Sequence, residues 1–128
     1  MKAGRELDAL IAEMVMGLTR HDESYVAEGV GKVLRFVWRD GCGGCVYSGD
    51  MFLPHYSTNI ADAWEVVPVL DQRLDQFWSV VRAGEKFEFY SNPYELGDYT
   101  AYVEADTLPL LLCLAALKAK GVTGEQHG

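Results

Sequence analysis

Two cysteines in a glycine-rich turn have the most specific chemical spacing in this chain. Cys42 and Cys45 are separated by two glycines, and thiolates at this spacing can hold one side of a zinc ion. A tetrahedral site needs two more ligands, and the remaining candidates are His21, His55 and His127. Because the sequence has no second ligand pair, we do not expect a metal at Cys42, Cys45 and His55.

The same two thiols are also a candidate redox pair. Redox motifs of this kind usually begin a helix, whose N-terminus lowers the pKa of the first thiol. Here the motif lies in a turn between strand-like runs, so two small residues in a turn are the preferred interpretation. A zinc- or thiol-dependent protein centred on Cys42 and Cys45 is kept as the alternative function.

Other reactive arrangements are missing from the sequence. The histidines do not have metal-binding helical spacing, and no serine lies in a Gly-x-Ser-x-Gly turn. No glycine-rich phosphate loop precedes a helix. We therefore expect a protein that is not an enzyme, with no catalytic residues and no cofactor.

Aromatic and arginine side chains near the predicted loops suggest a binding site instead. Tyrosines could stack on a flat ligand while an arginine pairs with an anionic group, and a helix predicted to begin near Ser57 would offer free amides. Most aromatic side chains are nevertheless expected in the core. The candidate binding residues are Arg35, Arg39, Tyr56, Ser57, Thr58, Asn59, Arg82 and Tyr90, with Arg73, Tyr94 and Tyr99 as further candidates.

Composition limits the classes of protein that fit. The length of 128 residues suits one domain, and the 49% of hydrophobic residues are enough for its core. We expect this domain over residues 1–121 and a loose tail over 122–128. The formal net charge of −8 argues against nucleic-acid binding. No apolar run is long enough to span a membrane, and the start does not resemble a signal peptide. We expect a cytoplasmic protein without structural disulfides.

Apolar spacing predicts three helices. The first covers residues 4–17, with apolar residues on one face. Asn59 is predicted to cap the second, whose buried side includes Ile60 and Trp64, and Pro68 predicts a kink or break near Val67. The third, over residues 107–120, is apolar on almost every side and must be buried.

Between the helices the sequence predicts strands. Residues 32–39 form a strand with Leu34, Phe36 and Trp38 on its buried face, and residues 19–29 form a loop. A turn over 40–45 leads to a short return strand. Later strands are expected at 77–82, 86–90 and 99–105. The predicted class is α+β: an antiparallel sheet of three to five strands layered with three helices, like an α-β-α sandwich.

Three stretches of the chain resemble one family. Residues 4–17, 56–67 and 108–119 are similar to the opening, the central motif and the closing helix of the phage ABA-sandwich domain family. The resemblance implies a phage or prophage origin and a helix–sheet–helix layering. It implies no catalytic residues. The central motif here is carried by Ser57, Thr58, Asn59, Asp62 and Trp64, which we interpret as capping and core residues.

The resemblance and the missing reactive groups favour a non-enzymatic phage accessory protein in the host cytoplasm. Its partner would be a host protein or a small ligand. One specific version is a counter-defence sponge that sequesters nucleotide-derived immune signals. Surplus aromatic side chains also favour a homo-oligomer, whereas nucleic acids and membranes are not expected as partners.

Overall fold

The computed structural model describes residues 2–74, 78–91 and 101–120. Helices and strands both contribute, so the predicted α+β class is confirmed. The helices are α1 (Arg5–Met14), α2 (Ile60–Ala63), α3 (Val67–Leu74) and α4 (Leu108–Ala119). The strands are β1 (Thr19–Asp22), β2 (Tyr25–Ala27), β3 (Gly31–Val33), β4 (Phe36–Arg39), β5 (Cys45–Ser48), β6 (Trp78–Ala83), β7 (Lys86–Ser91) and β8 (Ala101–Ala105).

Within the described ranges, the strands form three antiparallel sheets instead of a single one. The first sheet has the order β1-β4-β5, and the third sheet has the order β6-β7-β8. Strands β2 and β3 pair only with each other, and we call them and their connecting turn (residues 25–33) the hairpin arm.

Helix α4 lies at the centre of the described fold, as its apolar sequence predicts. The side chain of Thr107 caps it by accepting a hydrogen bond from the Leu110 amide at 3.3 Å, and a proline is tolerated in the first turn. Leu111, Leu112 and Leu117 are fully buried. The helix packs against β7 and β8 on one side and against α1, α2 and α3 on others, which explains why no polar face is needed.

The third sheet has one covered and one open face. Its inner face carries Phe89, which is buried and stacks on Trp78 with ring centroids 5.6 Å apart. Alternate residues point the other way. That outer face, which we call the acidic face, is formed by Val81, Glu88, Tyr90, Tyr102 and Glu104.

The second helical stretch is broken, as Pro68 predicts. Helix α2 ends at Ala63, a 3-10 turn covers Trp64–Val66, and Pro68 is the second residue of α3. The Asn59 cap is confirmed, because its side chain accepts a hydrogen bond from the Asp62 amide at 3.1 Å.

The prediction that Ile60 and Trp64 are buried is wrong. Trp64 is 57% exposed and Ile60 45%. The tighter 3-10 turn changes the angle between successive side chains, so Val66 takes the buried position that a continuous helix would give to its neighbours.

Two predictions for residues 19–39 are also wrong. The expected loop over 19–29 contains β1 and β2, whose residues are mostly exposed and carry no apolar alternation. The single strand over 32–39 is divided into β3 and β4, so Leu34 is exposed instead of buried. In β4 both Val37 and Trp38 are buried, beside a register shift between Trp38 and Arg39 in its pairing with β5.

Several predictions concern residues outside the described ranges. These are the predictions for Tyr94, Tyr99, His127 and the tail 122–128. The single domain over residues 1–121 stays a prediction as well. Among the residues the structure describes, no helix has the length and apolar character needed to cross a bilayer.

Candidate functional site

Cys42 lies in the turn between β4 and β5, Cys45 is the first residue of β5, and both are exposed. The carboxylate of Asp40 shapes the turn by accepting hydrogen bonds from the amides of Cys42 and Gly44, both at 2.9 Å. Within the described ranges, no group of three His, Cys, Asp or Glu side chains is arranged to hold a metal ion. The residues present there do not fit a zinc centre.

Cys113, the third cysteine, lies on α4 and is buried. Burial, together with the nearby carboxylate of Asp8, raises its pKa to about 12. A thiol with so high a pKa is a poor nucleophile, so Cys113 fills space in the core.

Ser57 belongs to a buried polar network. Its amide and its hydroxyl both donate to Oδ1 of Asp8, at 2.8 and 2.7 Å, and its hydroxyl oxygen accepts from the amide of Gly4 at 2.9 Å. Asp8 and Ser57 are both fully buried. The network ties the start of α1 to the segment before α2, which uses the polar atoms of Ser57 for structure.

Arg5 completes this network from the surface side. It donates to Oδ2 of Asp8 at 2.9 Å and to the carbonyl oxygens of Asp50 and Leu53 at 2.6 and 3.0 Å. The guanidinium therefore neutralises a buried carboxylate and satisfies two loop carbonyls. Sequence reasoning missed Asp8, although it lies three and seven residues before the buried Ile11 and Val15, on their side of the helix.

The other central-motif residues do not form an open anion site. Helix α2 has only four residues, and the side chain of Asn59 already binds one of its first amides. Tyr56 is fully buried, and this burial, with the nearby Tyr47, raises the pKa of its hydroxyl. Thr58 is exposed beside them. A ligand-binding role for these residues stays a prediction.

The remaining candidate residues lie on different sheets. Arg39, on β4, pairs with Glu23 at 2.8 Å and donates to the Gly43 carbonyl. On the third sheet, Arg82 lies over the Phe87 ring at 5.8 Å. Tyr90, on the same sheet, donates to Glu88 at 2.7 Å. The backbone of Arg73 lies in α3, and its side chain is outside the described part.

A cluster that the sequence did not reveal is centred on Asp50. Arg20 makes two hydrogen bonds to its carboxylate, at 2.9 and 2.6 Å, and the indole of Trp38 donates at 2.9 Å. The hydrogen bond from Arg20 is the main reason that the pKa of Asp50 is lowered. Arg20 also stacks on Phe36, 3.8 Å from the ring centroid.

A groove of about 550 Å³ opens next to this cluster. Arg35 lines it together with Phe36 and Met51, and Ser48 and Asp50 supply its polar atoms. Arg35 is exposed. Its guanidinium makes no hydrogen bond or ion pair to any residue within the described ranges. The one acid lining the groove, Asp50, is already paired with Arg20. The groove can therefore offer a free cation beside apolar and aromatic surface.

These observations define an α+β domain with a packed apolar centre, a buried structural carboxylate and a groove at the edge of the first sheet. The sequence model of the phage ABA sandwich domain family matches residues 9–117 of the chain. The chain therefore belongs to the phage ABA sandwich domain family, and the resemblance found in the sequence is confirmed.

One solved structure shares the fold. A crystal structure of a phage protein from Bacillus cereus ATCC 14579 is similar with a TM-score of 0.57 and 22% identity, over 93% of this chain and 88% of that chain. At this identity the similarity concerns the fold alone. No curated protein matches the chain.

Proposed function

We propose that this phage protein is a non-enzymatic accessory protein that binds a small anionic ligand in the groove containing Arg35. The observation that carries the proposal is the free guanidinium of Arg35 beside Phe36 and Met51. The ligand would be nucleotide-like, and sequestering such a signal would serve counter-defence.

The chemistry of the groove supports a ligand with an anionic and a flat part. A guanidinium binds phosphate oxygens through two parallel hydrogen bonds. Phe36 is already covered on one side by Arg20, whose charge is paired with Asp50, so the ring and its arginine offer a planar surface while Arg35 supplies the positive charge. The hydroxyl of Ser48 adds a donor and acceptor for a sugar or phosphate oxygen.

Charge elsewhere on the chain makes this location distinctive. The formal net charge is −8, which repels anions from most of the surface. Residues 19–39 contain four basic and three acidic residues, whereas the rest of the chain has seven basic and sixteen acidic ones. An anionic ligand would therefore meet the least repulsion near this part of the chain.

The test is a binding panel with matched variants. Cyclic mononucleotides, cyclic dinucleotides and cyclic ADP-ribose isomers are each added to purified protein, and melting curves are followed by calorimetry of any ligand that shifts them. We expect at least one ligand to raise the melting temperature. Arg35→Ala should weaken its binding roughly 10- to 100-fold, because a charge-assisted hydrogen bond contributes about 1.5–3 kcal/mol.

Lys120→Ala is the control, because it removes one positive charge from an exposed position that does not line the groove. Its affinity should equal that of the wild type. Unchanged melting curves across the whole panel would contradict the proposal, and so would a ligand that binds Arg35→Ala as tightly as the wild type.

A further inference from the structure

The hairpin arm projects from the fold without burying any of its own residues. None of the six residues of β2 and β3 is buried, and Val26 and Val30 are 80% and 75% exposed. The arm continues the β1–β4 pair, to which the Glu23 amide links it by donating to the Arg35 carbonyl at 2.7 Å, but within the described ranges no third strand lies beside β2 or β3. Exposed apolar side chains grouped on such an element indicate a surface that another molecule buries.

One side of the arm combines an apolar and a basic residue. Val26 and Lys32 are directly opposite each other in the β2–β3 pairing, so their side chains lie on the same face. The ammonium group of Lys32 makes no hydrogen bond or ion pair with other residues in the described ranges. This side of the arm therefore presents an exposed valine beside a cation whose charge acts on Asp22 only at a distance.

The acidic face of the third sheet has the complementary character. Glu88 and Glu104 are directly opposite each other on β7 and β8, where like charges are destabilising. The hydroxyl of Tyr102 lies 3.0 Å from an oxygen of each carboxylate but has only one proton to donate. Lys86 approaches Glu104 at 3.5 Å and is the cation paired with this cluster in the described part.

Apolar side chains accompany these charges. Val81 is 47% exposed and lies opposite Glu88 in the β6–β7 pairing, and Tyr102 packs against Tyr90 with ring centroids 5.2 Å apart. Two carboxylates with one neighbouring cation, set among apolar and aromatic surface, fit a partner that brings another cation and an aliphatic side chain.

We propose that copies of this chain associate head to tail, with the hairpin arm of one copy seated on the acidic face of the next. Lys32 then lies between Glu88 and Glu104 of the neighbour, and Val26 packs against its Val81 and Tyr102. Because the two surfaces differ, the contact is heterologous, and repetition closes into a ring when the rotation permits. The cation of the arm is complementary to the two carboxylates of the acidic face, and both surfaces belong to this chain. We therefore take a second copy of the chain as the molecule that covers the acidic face.

The association is tested by sedimentation at low salt with charge-reversed variants. The wild type should be larger than its monomer mass of 14.2 kDa, and added salt should dissociate it. Lys32→Glu should be monomeric, because the arm then repels the acidic face. Glu88→Lys/Glu104→Lys should be monomeric for the same reason. Mixing these two variants should restore association. The acidic arm of Lys32→Glu then meets the basic face of Glu88→Lys/Glu104→Lys, and the basic arm of the second variant meets the acidic face of the first.

The control is Glu13→Lys/Glu65→Lys, which makes the same change in net charge at exposed positions outside the third sheet. It should associate like the wild type. Val26→Asp, which leaves Lys32 in place, should also be monomeric. Circular dichroism melting confirms that each variant is folded.

Three results would overturn the proposal: a wild type that is monomeric at high concentration in low salt, folded variants that still associate, or a mixture of folded variants that remains monomeric. The second and third distinguish a head-to-tail contact from other interfaces. Ligand binding at Arg35 is a separate property, since the arm and face variants leave that residue unchanged.

Discussion

At the scale of single residues, the buried carboxylate of Asp8 is the most demanding feature of this protein. A buried charge is costly unless it is paired and hydrogen-bonded. Here Ser57 supplies two hydrogen bonds to Asp8 and Arg5 supplies a third. Position 57 of the central motif therefore joins α1 to the segment before α2.

Replacing Asp8 should destabilise the fold strongly. Asp8→Ala leaves the buried amide and hydroxyl of Ser57 without this partner, and we expect a loss of about 3 kcal/mol in the free energy of unfolding. Ser57→Ala should cost about 1–2 kcal/mol, because Arg5 still pairs with the carboxylate. Urea denaturation measures both losses.

Glu6→Ala is the matched control for Asp8→Ala. It removes an exposed acid from the same helix and should change stability by less than about 0.5 kcal/mol. If Asp8→Ala were as stable as Glu6→Ala, the network would have no structural role, and Ser57 would be open again to a binding role.

The ion pair between Asp50 and Arg20 should make stability depend on acid. The pKa of Asp50 is lowered from its ordinary 3.8, chiefly by the hydrogen bond from Arg20. A carboxyl group whose pKa is lower in the folded state contributes stability above its unfolded pKa, and this contribution is lost as the pH falls through the folded value. Because the pair is partly exposed, the contribution should stay below about 1 kcal/mol.

Asp50→Asn isolates this contribution. Between about pH 5 and 3, the wild type should lose more stability than the variant, while above pH 5 the wild type should be the more stable of the two. Urea denaturation at a series of pH values measures the difference. Parallel profiles over that range would show that the Asp50 carboxyl is not stabilised by Arg20.

At the scale of elements, periodicity in the sequence predicted the parts that pack against the core. The apolar stripe of α1, the Asn59 cap and the almost continuous apolar run of α4 each have a local cause, and the structure confirms them. Strands β1 and β2 escaped prediction because backbone pairing holds them with little burial, so no alternation marks them.

The candidate site was less predictable for a related reason. Arg35 was recognised as a binding candidate, but Arg20 and Asp50 lie thirty residues apart and meet only when β1 and β5 both pair with β4. Single-sequence patterns carry little information about such contacts. The sequence also gave no sign of the partner of Ser57, because Asp8 belongs to another element, 49 residues earlier in the chain.

The break between α2 and α3 provides a prediction at this scale. If Pro68 lay in the interior of a continuous helix, it would cost about 3 kcal/mol, and replacing it would stabilise the protein. Pro68 is the second residue of α3, where its missing N–H costs little and its rigidity restricts the unfolded chain. Pro68→Ala should therefore destabilise the protein by about 0.4–1 kcal/mol.

Thermal or urea unfolding of Pro68→Ala decides between these expectations. Gln72→Ala, an exposed change later in the same helix, shows how much the chain responds to alanine alone. A clear gain in stability for Pro68→Ala would mean that the proline strains a continuous helix, which contradicts the observed 3-10 turn at Trp64–Val66.

At the scale of the whole molecule, the described chain separates into a core and a periphery. Helix α4 contacts α1, α2, α3, β7 and β8, and its buried leucines form much of the core. The hairpin arm and the groove at Arg35 lie outside that core. Residues that hold the fold together are thus separate from those proposed to bind a ligand or another copy, so binding variants can be made without unfolding the protein.

Hydrogen exchange followed by mass spectrometry tests this separation most directly. At protein concentrations low enough to keep copies apart, the amides of α4 should exchange slowest, close to the rate of global unfolding, and those of the hairpin arm should exchange fastest. At high concentration the arm and the acidic face should become protected while α4 stays unchanged. Exchange in α4 as fast as in the arm would contradict the account, because the apolar helix would then not be the centre of the fold.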